Sequence, residues 1–109
     1  MSRADAVAAA EESVDRTPDP EDLGRNETPA YLQRNGHGQR LVADYQVLGS
    51  GWIRVTEWDG SRVKFPPHEV TAVREVQVES YGEFDAGGHR SKRLASEAHI
   101  DEARERSDG

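Results

Sequence analysis

Residues 51–65 hold the largest group of β-branched and aromatic side chains in the chain, and the pair Asp59-Gly60 interrupts them. Such side chains are typical of a pleated, partly buried surface, so the segment predicts two strands. An Asp-Gly pair supplies the positive φ angles that a two-residue type I′ turn needs. We therefore expect a β-hairpin in which Trp58 lies opposite Ser61.

Counting outward from this turn assigns the side chains to two faces, because neighbouring positions along a strand point to opposite sides. One face carries Trp52, Arg54, Thr56, Trp58, Val63 and Phe65, and the other carries Ile53, Val55, Glu57, Arg62 and Lys64. We expect the face with both tryptophans and Phe65 to be mainly buried. The same register places Glu57 opposite Arg62 as an exposed pair, worth roughly 0.2–1 kcal/mol.

Two other segments also have extended patterns. Residues 41–48 alternate as one strand, and residues 70–81 form an extended run after Pro66-Pro67, which ends the hairpin's pairing. These patterns predict a mainly β fold, with a small curled sheet or barrel over about residues 31–81. The strand spacing between residues 41 and 81 resembles the layout of SH3-like barrels.

The two ends of the chain have a different composition. Residues 1–30 are acidic and contain Pro18, Pro20 and Pro29, which predicts a polar tail that is largely disordered or weakly helical. Residues 31–84 are expected to form the β-module. Residues 85–109 predict a glycine link followed by a charged helix or tail, because Arg90 to Arg106 are helix formers with only a thin apolar stripe.

Composition narrows the class of protein. The 109 residues are 34% hydrophobic and 32% charged, and the net charge is −7. The chain has no cysteine, which excludes disulfides and thiolate metal sites, and no apolar run of the roughly 18–20 residues that span a membrane. We therefore expect a soluble protein of the cytoplasm, or of a virion if its origin is viral.

The bias of the charged residues also bears on origin. Most of the acidity belongs to residues 1–28, and only Lys64 and Lys92 are lysines among the 14 basic residues. This halophilic character resembles proteins of salt-loving archaea, although a high-GC bacterium or its phage would give a similar arginine bias. In brine, negative charge serves solubility and carries no information about a partner.

Candidate chemistry is sparse. The four histidines His37, His68, His89 and His99 show no i, i+4 pair, which favours surface side chains over a zinc site. There is no nucleophile elbow and no glycine-rich phosphate loop. We therefore expect no enzymatic activity, no cofactor, no metal and no small-molecule substrate.

Two binding functions remain. The first is a protein–protein adaptor or a structural subunit of an assembly, or a homo-oligomer. Its anchors would be Trp52 or Trp58, whichever is exposed, beside Pro66 and Pro67. The alternative is a nucleic-acid-associated regulator that uses a tryptophan for stacking and six basic residues: Arg54, Arg62, Lys64, Arg90, Lys92 and Arg93. The acidic net charge counts against the alternative.

Overall fold

The computed structural model describes residues 17–108, and this range is mainly β, as predicted. The strands are β1 (Ala30–Arg34), β2 (Gly38–Val42), β3 (Asp44–Val47), β4 (Ile53–Thr56), β5 (Arg62–Phe65), β6 (Val70–Glu75), β7 (Val78–Tyr81) and β8 (Ser91–Leu94). A single 3-10 turn, Pro67–Glu69, precedes β6, and one helix, α1 (Glu97–Asp108), follows β8. No helix in the described range is long and apolar enough to cross a membrane.

The strands form three antiparallel sheets, ordered β2-β1-β6, β3-β4-β5 and β7-β8, and none of them closes into the barrel expected for residues 31–81. Each long predicted strand divides between two sheets. Residues 41–48 break at Ala43, so that β2 pairs with β1 while β3 pairs with β4. Residues 70–81 likewise break after Glu75.

The break at Ala43 has a packing cause. Leu41, Val42 and Ala43 are all fully buried, so both sides of the chain are covered at this point. Leu41 and Ala43 belong to one hydrophobic cluster with Leu23, Trp58, Leu94 and Ala103. Val42 belongs to a second cluster with Leu32, Ile53, Val55 and Phe65. In a strand with one solvent-exposed face, buried and exposed residues alternate. A segment that packs against a hydrophobic cluster on each side cannot keep this alternation.

The predicted hairpin is present, but its register differs by one residue. Val55 pairs with Val63 and Ile53 with Phe65, so the loop has three residues rather than two. The Glu57 N–H donates to the Ser61 carbonyl at 2.8 Å, and the Gly60 N–H donates to the Glu57 carbonyl at 3.0 Å. Gly60 has φ 92°, and every positive φ in the described range belongs to glycine. Asp59 therefore lacks the positive φ that a type I′ turn requires.

This one-residue shift places Val63 and Phe65 of β5 on the same face as Ile53 and Val55, and no longer with Trp52. The buried side of β4 and β5 carries Ile53, Val55 and Phe65, whereas Trp52 and Arg54 point to the other side. Of the face predicted to be buried, Thr56, Trp58 and Phe65 are indeed buried, whereas the prediction was wrong for Trp52 and Val63, which are exposed. The predicted Glu57–Arg62 pair is also wrong, because Arg62 pairs with Thr56 and Glu57 forms an ion pair with Arg40 at 2.6 Å.

Residues 17–30 are packed against the sheets, although the sequence predicts a polar tail there. Leu23 is buried, its N–H donates to the Lys92 carbonyl at 2.8 Å, and the Leu94 N–H donates to the Pro20 carbonyl at 2.9 Å. Tyr81 donates its hydroxyl proton to the Glu21 carbonyl at 2.6 Å. This segment thus lies along β8. The prediction for residues 1–16 falls outside the described residues.

The expected C-terminal helix is present but begins later than Arg90. Residues 91–94 form β8, where Leu94 faces Val78 of β7 and is almost fully buried. The helix α1 contributes Ala103, which is fully buried, and Ile100, which is partly buried, to the same cluster. Tyr31 of β1 donates a hydrogen bond to Glu102 at 2.6 Å, which joins the helix to the first sheet.

Candidate binding face

The side of sheet β3-β4-β5 that points away from its buried cluster carries three of the six basic residues expected to bind nucleic acid; we call it the outer face. Alternation places Trp52 and Arg54 on it, and the register adds Lys64, opposite Arg54, and Arg62, opposite Thr56. Gln46 of β3 also lies there, opposite Arg54. Three cations and an indole ring thus share one surface.

One end of the outer face is covered by the chain itself. Asp44 lies opposite Thr56, which is buried, and its carboxylate accepts the Thr28 N–H at 2.8 Å. Burial raises the pKa of Asp44, and hydrogen bonds from backbone N–H groups together with the nearby Arg62 and Arg54 oppose that rise. Asp44 is the one carboxylate that the register places on this face. Beyond Asp44 the face carries the basic residues Arg54, Arg62 and Lys64.

The side chains on the face are held in place. Arg54 donates a hydrogen bond to Gln46, and Arg62 Nε donates to Thr56 Oγ1 at 3.2 Å. Lys64 is exposed at the strand opposite Arg54.

Trp52 is the exposed tryptophan of the pair. Its side chain is 42% accessible, whereas Trp58 is fully buried in the turn of the hairpin. Pro67 is a neighbour of Gly51, beside Trp52: a β-carbon added at Gly51 would lie in ordinary van der Waals contact with Pro67 Cγ, at 3.6 Å. Because Ile53 pairs with Phe65, Trp52 lies next to Pro66. Of the four residues expected to contact a partner, the structure thus brings Trp52, Pro66 and Pro67 together.

Trp58 cannot act as the anchor. Its indole belongs to the cluster of Leu41, Leu94 and Ala103, and its Nε1–H has no hydrogen-bond partner among the described residues. The three-residue loop explains the burial, because it takes Trp58 out of the strand register and lets the ring fold onto the first sheet and α1. Its predicted place beside Trp52 was wrong.

The second basic group lies elsewhere. Arg90 is in the loop between β7 and β8, and Lys92 and Arg93 are on β8, in a different sheet from Arg54, Arg62 and Lys64. Arg93 forms an ion pair with Glu79 at 2.6 Å. The six basic residues of the nucleic-acid hypothesis therefore divide between two surfaces.

A wide groove of about 1080 Å³ lies between the hairpin loop and α1. Carboxylates dominate its lining, with Glu57, Asp59, Asp101, Glu102 and Glu105 against Arg40 and Arg106. Asp59 accepts hydrogen bonds from the Ser61 hydroxyl and N–H, which lower its pKa. Glu102 accepts the hydroxyl of Tyr31 and raises the pKa of that tyrosine.

The histidines lie in four separate places. His37 is in the β1–β2 turn, His68 in the 3-10 turn, His89 in the β7–β8 loop and His99 in α1. In the part of the chain that the structure describes, no three metal-ligating side chains of the His, Cys, Asp and Glu types come together.

Phe84 is an exposed aromatic residue that the sequence analysis did not single out. It is 70% exposed in the β7–β8 loop, beside a cleft of about 480 Å³. A single phenylalanine in a glycine-rich loop gives no periodic pattern, so only its position between two charged neighbours, Glu83 and Asp85, signals exposure.

Comparison of the chain with protein-family models, with curated protein sequences and with solved structures finds no match.

Proposed function

We propose that the protein is a non-enzymatic binding module that contacts an acidic protein partner through the outer face, as an adaptor or assembly subunit. The observation that carries the proposal is the presence of Trp52, Arg54 and Lys64 on one exposed sheet face. Trp52 is the anchor, since tryptophan and arginine dominate the energetics of protein interfaces. Pro66 and Pro67 supply a rigid apolar border beside it.

Two features favour a protein as the partner over a ligand that is recognised by its negative charge alone. Trp52 is 42% exposed and lies beside Pro66, so the outer face includes apolar surface at this end of β4. Exposed apolar surface bordered by polar side chains is typical of protein interaction sites. The cations then favour a carboxylate-rich partner, mainly by raising its association rate and by disfavouring basic competitors.

The experiment compares three forms of the full chain: wild type, Trp52→Ala and Phe84→Ala. Each is immobilised, exposed to an extract of the source cells at about 50 mM and about 300 mM salt, and its retained proteins are identified by mass spectrometry. Phe84→Ala is the matched control, because it also removes an exposed aromatic ring but from the loop between β7 and β8, away from the outer face. We expect one acidic protein to be lost with Trp52→Ala at both salt concentrations and retained with Phe84→Ala.

Light scattering of the purified chain tests the self-association variant of the proposal. A dimer or larger ring that dissociates in Trp52→Ala would identify the partner as a second copy. Retention of the same proteins by wild type and Trp52→Ala, with monomers in both, would contradict the proposal.

Nucleic-acid binding is the second candidate, because Arg54, Lys64 and Arg62 lie on the same face as Trp52. This arrangement suits a strand whose bases stack on the indole while its phosphates contact the cations. It predicts binding that weakens steeply with salt, because contacts to phosphate release counterions. Fluorescence anisotropy with labelled single-stranded DNA, compared between wild type and Lys64→Gln, distinguishes it from the first proposal.

A further inference from the structure

The strand β3 is an open edge of sheet β3-β4-β5. The Leu48 N–H donates to the Trp52 carbonyl at 2.8 Å, and hydrogen-bonded positions alternate along an antiparallel pair. The backbone groups of Gln46 therefore point to β4, whereas those of Tyr45 and Val47 point away from it. Within residues 17–108, no backbone hydrogen bond outside the strand ladders reaches the Val47 N–H or the Tyr45 carbonyl. Such an edge can pair with another strand.

The other edges of the three sheets are less open to pairing. Charged side chains on an edge strand oppose its pairing with another strand. The segment of residues 20–23 lies along β8, and four further edge strands carry charges: Arg40 in β2, Arg62 and Lys64 in β5, Arg74 and Glu75 in β6, and Glu79 in β7. In β3 only Asp44 is charged, and its carboxylate is turned to the Thr28 N–H. Residues 45–48 carry no charge.

The β3 edge also has an apolar contact surface. Val47 is 61% exposed, and alternation places it on the same side of the strand as Tyr45. The Tyr45 ring packs against the cluster that contains Val42 and Val55, and its hydroxyl donates to Glu75 at 2.7 Å. The tyrosine is thus held in place, and an aromatic ring beside a β-branched side chain is a favourable cross-strand pair.

We propose that β3 pairs antiparallel with β3 of a second copy of this chain, so that two copies form a two-fold symmetric dimer. The outward-pointing residues set the register: Tyr45 lies opposite Val47 of the second copy, and Gln46 lies opposite Gln46. Each Val47 N–H then donates to the Tyr45 carbonyl of the other copy, and each Val47 side chain packs beside a Tyr45 ring. Asp44 lies opposite Leu48, so no like charges meet directly although each chain carries −7.

A second copy matches this edge better than an acidic partner does, because residues 45–48 offer no cation and are complementary to themselves in the stated register. Opposite residues of an antiparallel pair point to the same side of a sheet. The dimer therefore has one six-stranded sheet with two outer faces on one side. This interface goes beyond the proposed role of the outer face and does not depend on what that face binds.

Sedimentation equilibrium of the full chain from about 5 μM to about 1 mM tests the dimer. We expect wild type to form dimers and Val47→Lys to raise the dissociation constant at least about tenfold, because a lysine on an edge strand opposes pairing. Val47 is exposed, so the variant should keep the circular dichroism spectrum of wild type. Trp52→Ala should change the dissociation constant less than about twofold, which separates this interface from the outer face.

A cross-link tests the register, because the chain has no cysteine of its own. Gln46 would face Gln46 in a non-hydrogen-bonded pair, with Cα atoms about 4.5 Å apart and within the range of a disulfide. With oxidised glutathione, Gln46→Cys should form a covalent dimer at least about tenfold faster than Ser80→Cys, the matched control at an exposed position of β7. A wild type that stays monomeric, equal cross-linking rates, or dissociation by Trp52→Ala rather than by Val47→Lys would each overturn the proposal.

Discussion

Gly60 shows how one residue sets the register of a hairpin. Its φ of 92° is accessible to glycine without steric cost, and the adjacent Asp59 stays at negative φ. The turn therefore uses one left-handed residue rather than two, which is the geometry of a three-residue loop. Because strand alternation has a period of two, this single angle decides that Val63 and Phe65 share the face of Val55 and not that of Trp52.

The stability of the fold should depend on pH through the side chain of Asp44. Burial raises its pKa above the ordinary 3.8, so the folded chain holds that proton more tightly than the unfolded chain. Its contribution to stability is therefore complete below pH 3.8 and is lost as the pH rises through the raised pKa. We predict that Asp44→Asn, which keeps an acceptor for the Thr28 N–H, is at least as stable as wild type at pH 7.

Urea unfolding at several pH values between 3 and 7 measures this difference. The advantage of Asp44→Asn should shrink towards zero at the acidic end of the series. Asp101→Asn on α1 serves as the control, because it removes one negative charge at an exposed position. A marked loss of stability in Asp44→Asn at pH 7 would show that the carboxylate stabilises the fold.

At the scale of elements, α1 is a polar helix attached by few apolar side chains. Ala103 is fully buried against the cluster that contains Leu94 and Trp58, and Ile100 is partly buried beside it. Arg104 also reaches Glu21 at 2.8 Å, which joins the helix to the segment along β8. An amphipathic helix with so little apolar surface depends on tertiary packing for its stability.

We predict that Ala103→Asp lowers the free energy of unfolding by about 3 kcal/mol, because it places an unpaired charge in the core. Ala98→Asp is the matched control: it makes the same change in the same helix at an exposed position, and should change stability by less than about 0.5 kcal/mol. Urea unfolding followed by circular dichroism at about 222 nm measures both. Similar losses in the two variants would mean that α1 is not docked through Ala103.

At the scale of the whole molecule, the described residues 17–108 pack into two hydrophobic clusters that residues 41–43 connect. One cluster lies between the first sheet, Trp58, β8 and α1, and the other between the first and second sheets. Leu23 enters the former from a segment far from it in sequence. A module of this size is only marginally stable when it has one small hydrophobic core, so each residue added to the core contributes noticeably to its stability.

We predict that Leu23→Ala costs about 2–4 kcal/mol, the usual loss for a buried leucine that leaves a cavity. Leu48→Ala, at a partly buried position after β3, should cost clearly less. Chemical unfolding of both variants, monitored by Trp58 fluorescence, provides the comparison. If the two losses are equal, residues 17–30 do not contribute to the core as described.

Local signals were sufficient to locate several elements. The Asp59-Gly60 reversal, the strand-ending Pro66-Pro67 and the polar helix formers after residue 94 depend on backbone angles and propensities of neighbouring residues. These preferences act over a few positions, so the sequence alone determined a mainly β chain with a hairpin at residues 51–65 and a helix near its end. It also determined the residue types available for binding.

Only the tertiary structure decided which of those residues are available together. Burial depends on what packs against each side of a strand, and that partner is distant in sequence: Trp58 folds onto Leu94, and Leu23 lies on β8. The same long-range packing divided residues 41–48 between two sheets and exposed Trp52 and Phe84. A pattern of neighbours cannot specify such contacts, because the free energy that selects them comes from surfaces formed when the whole chain folds.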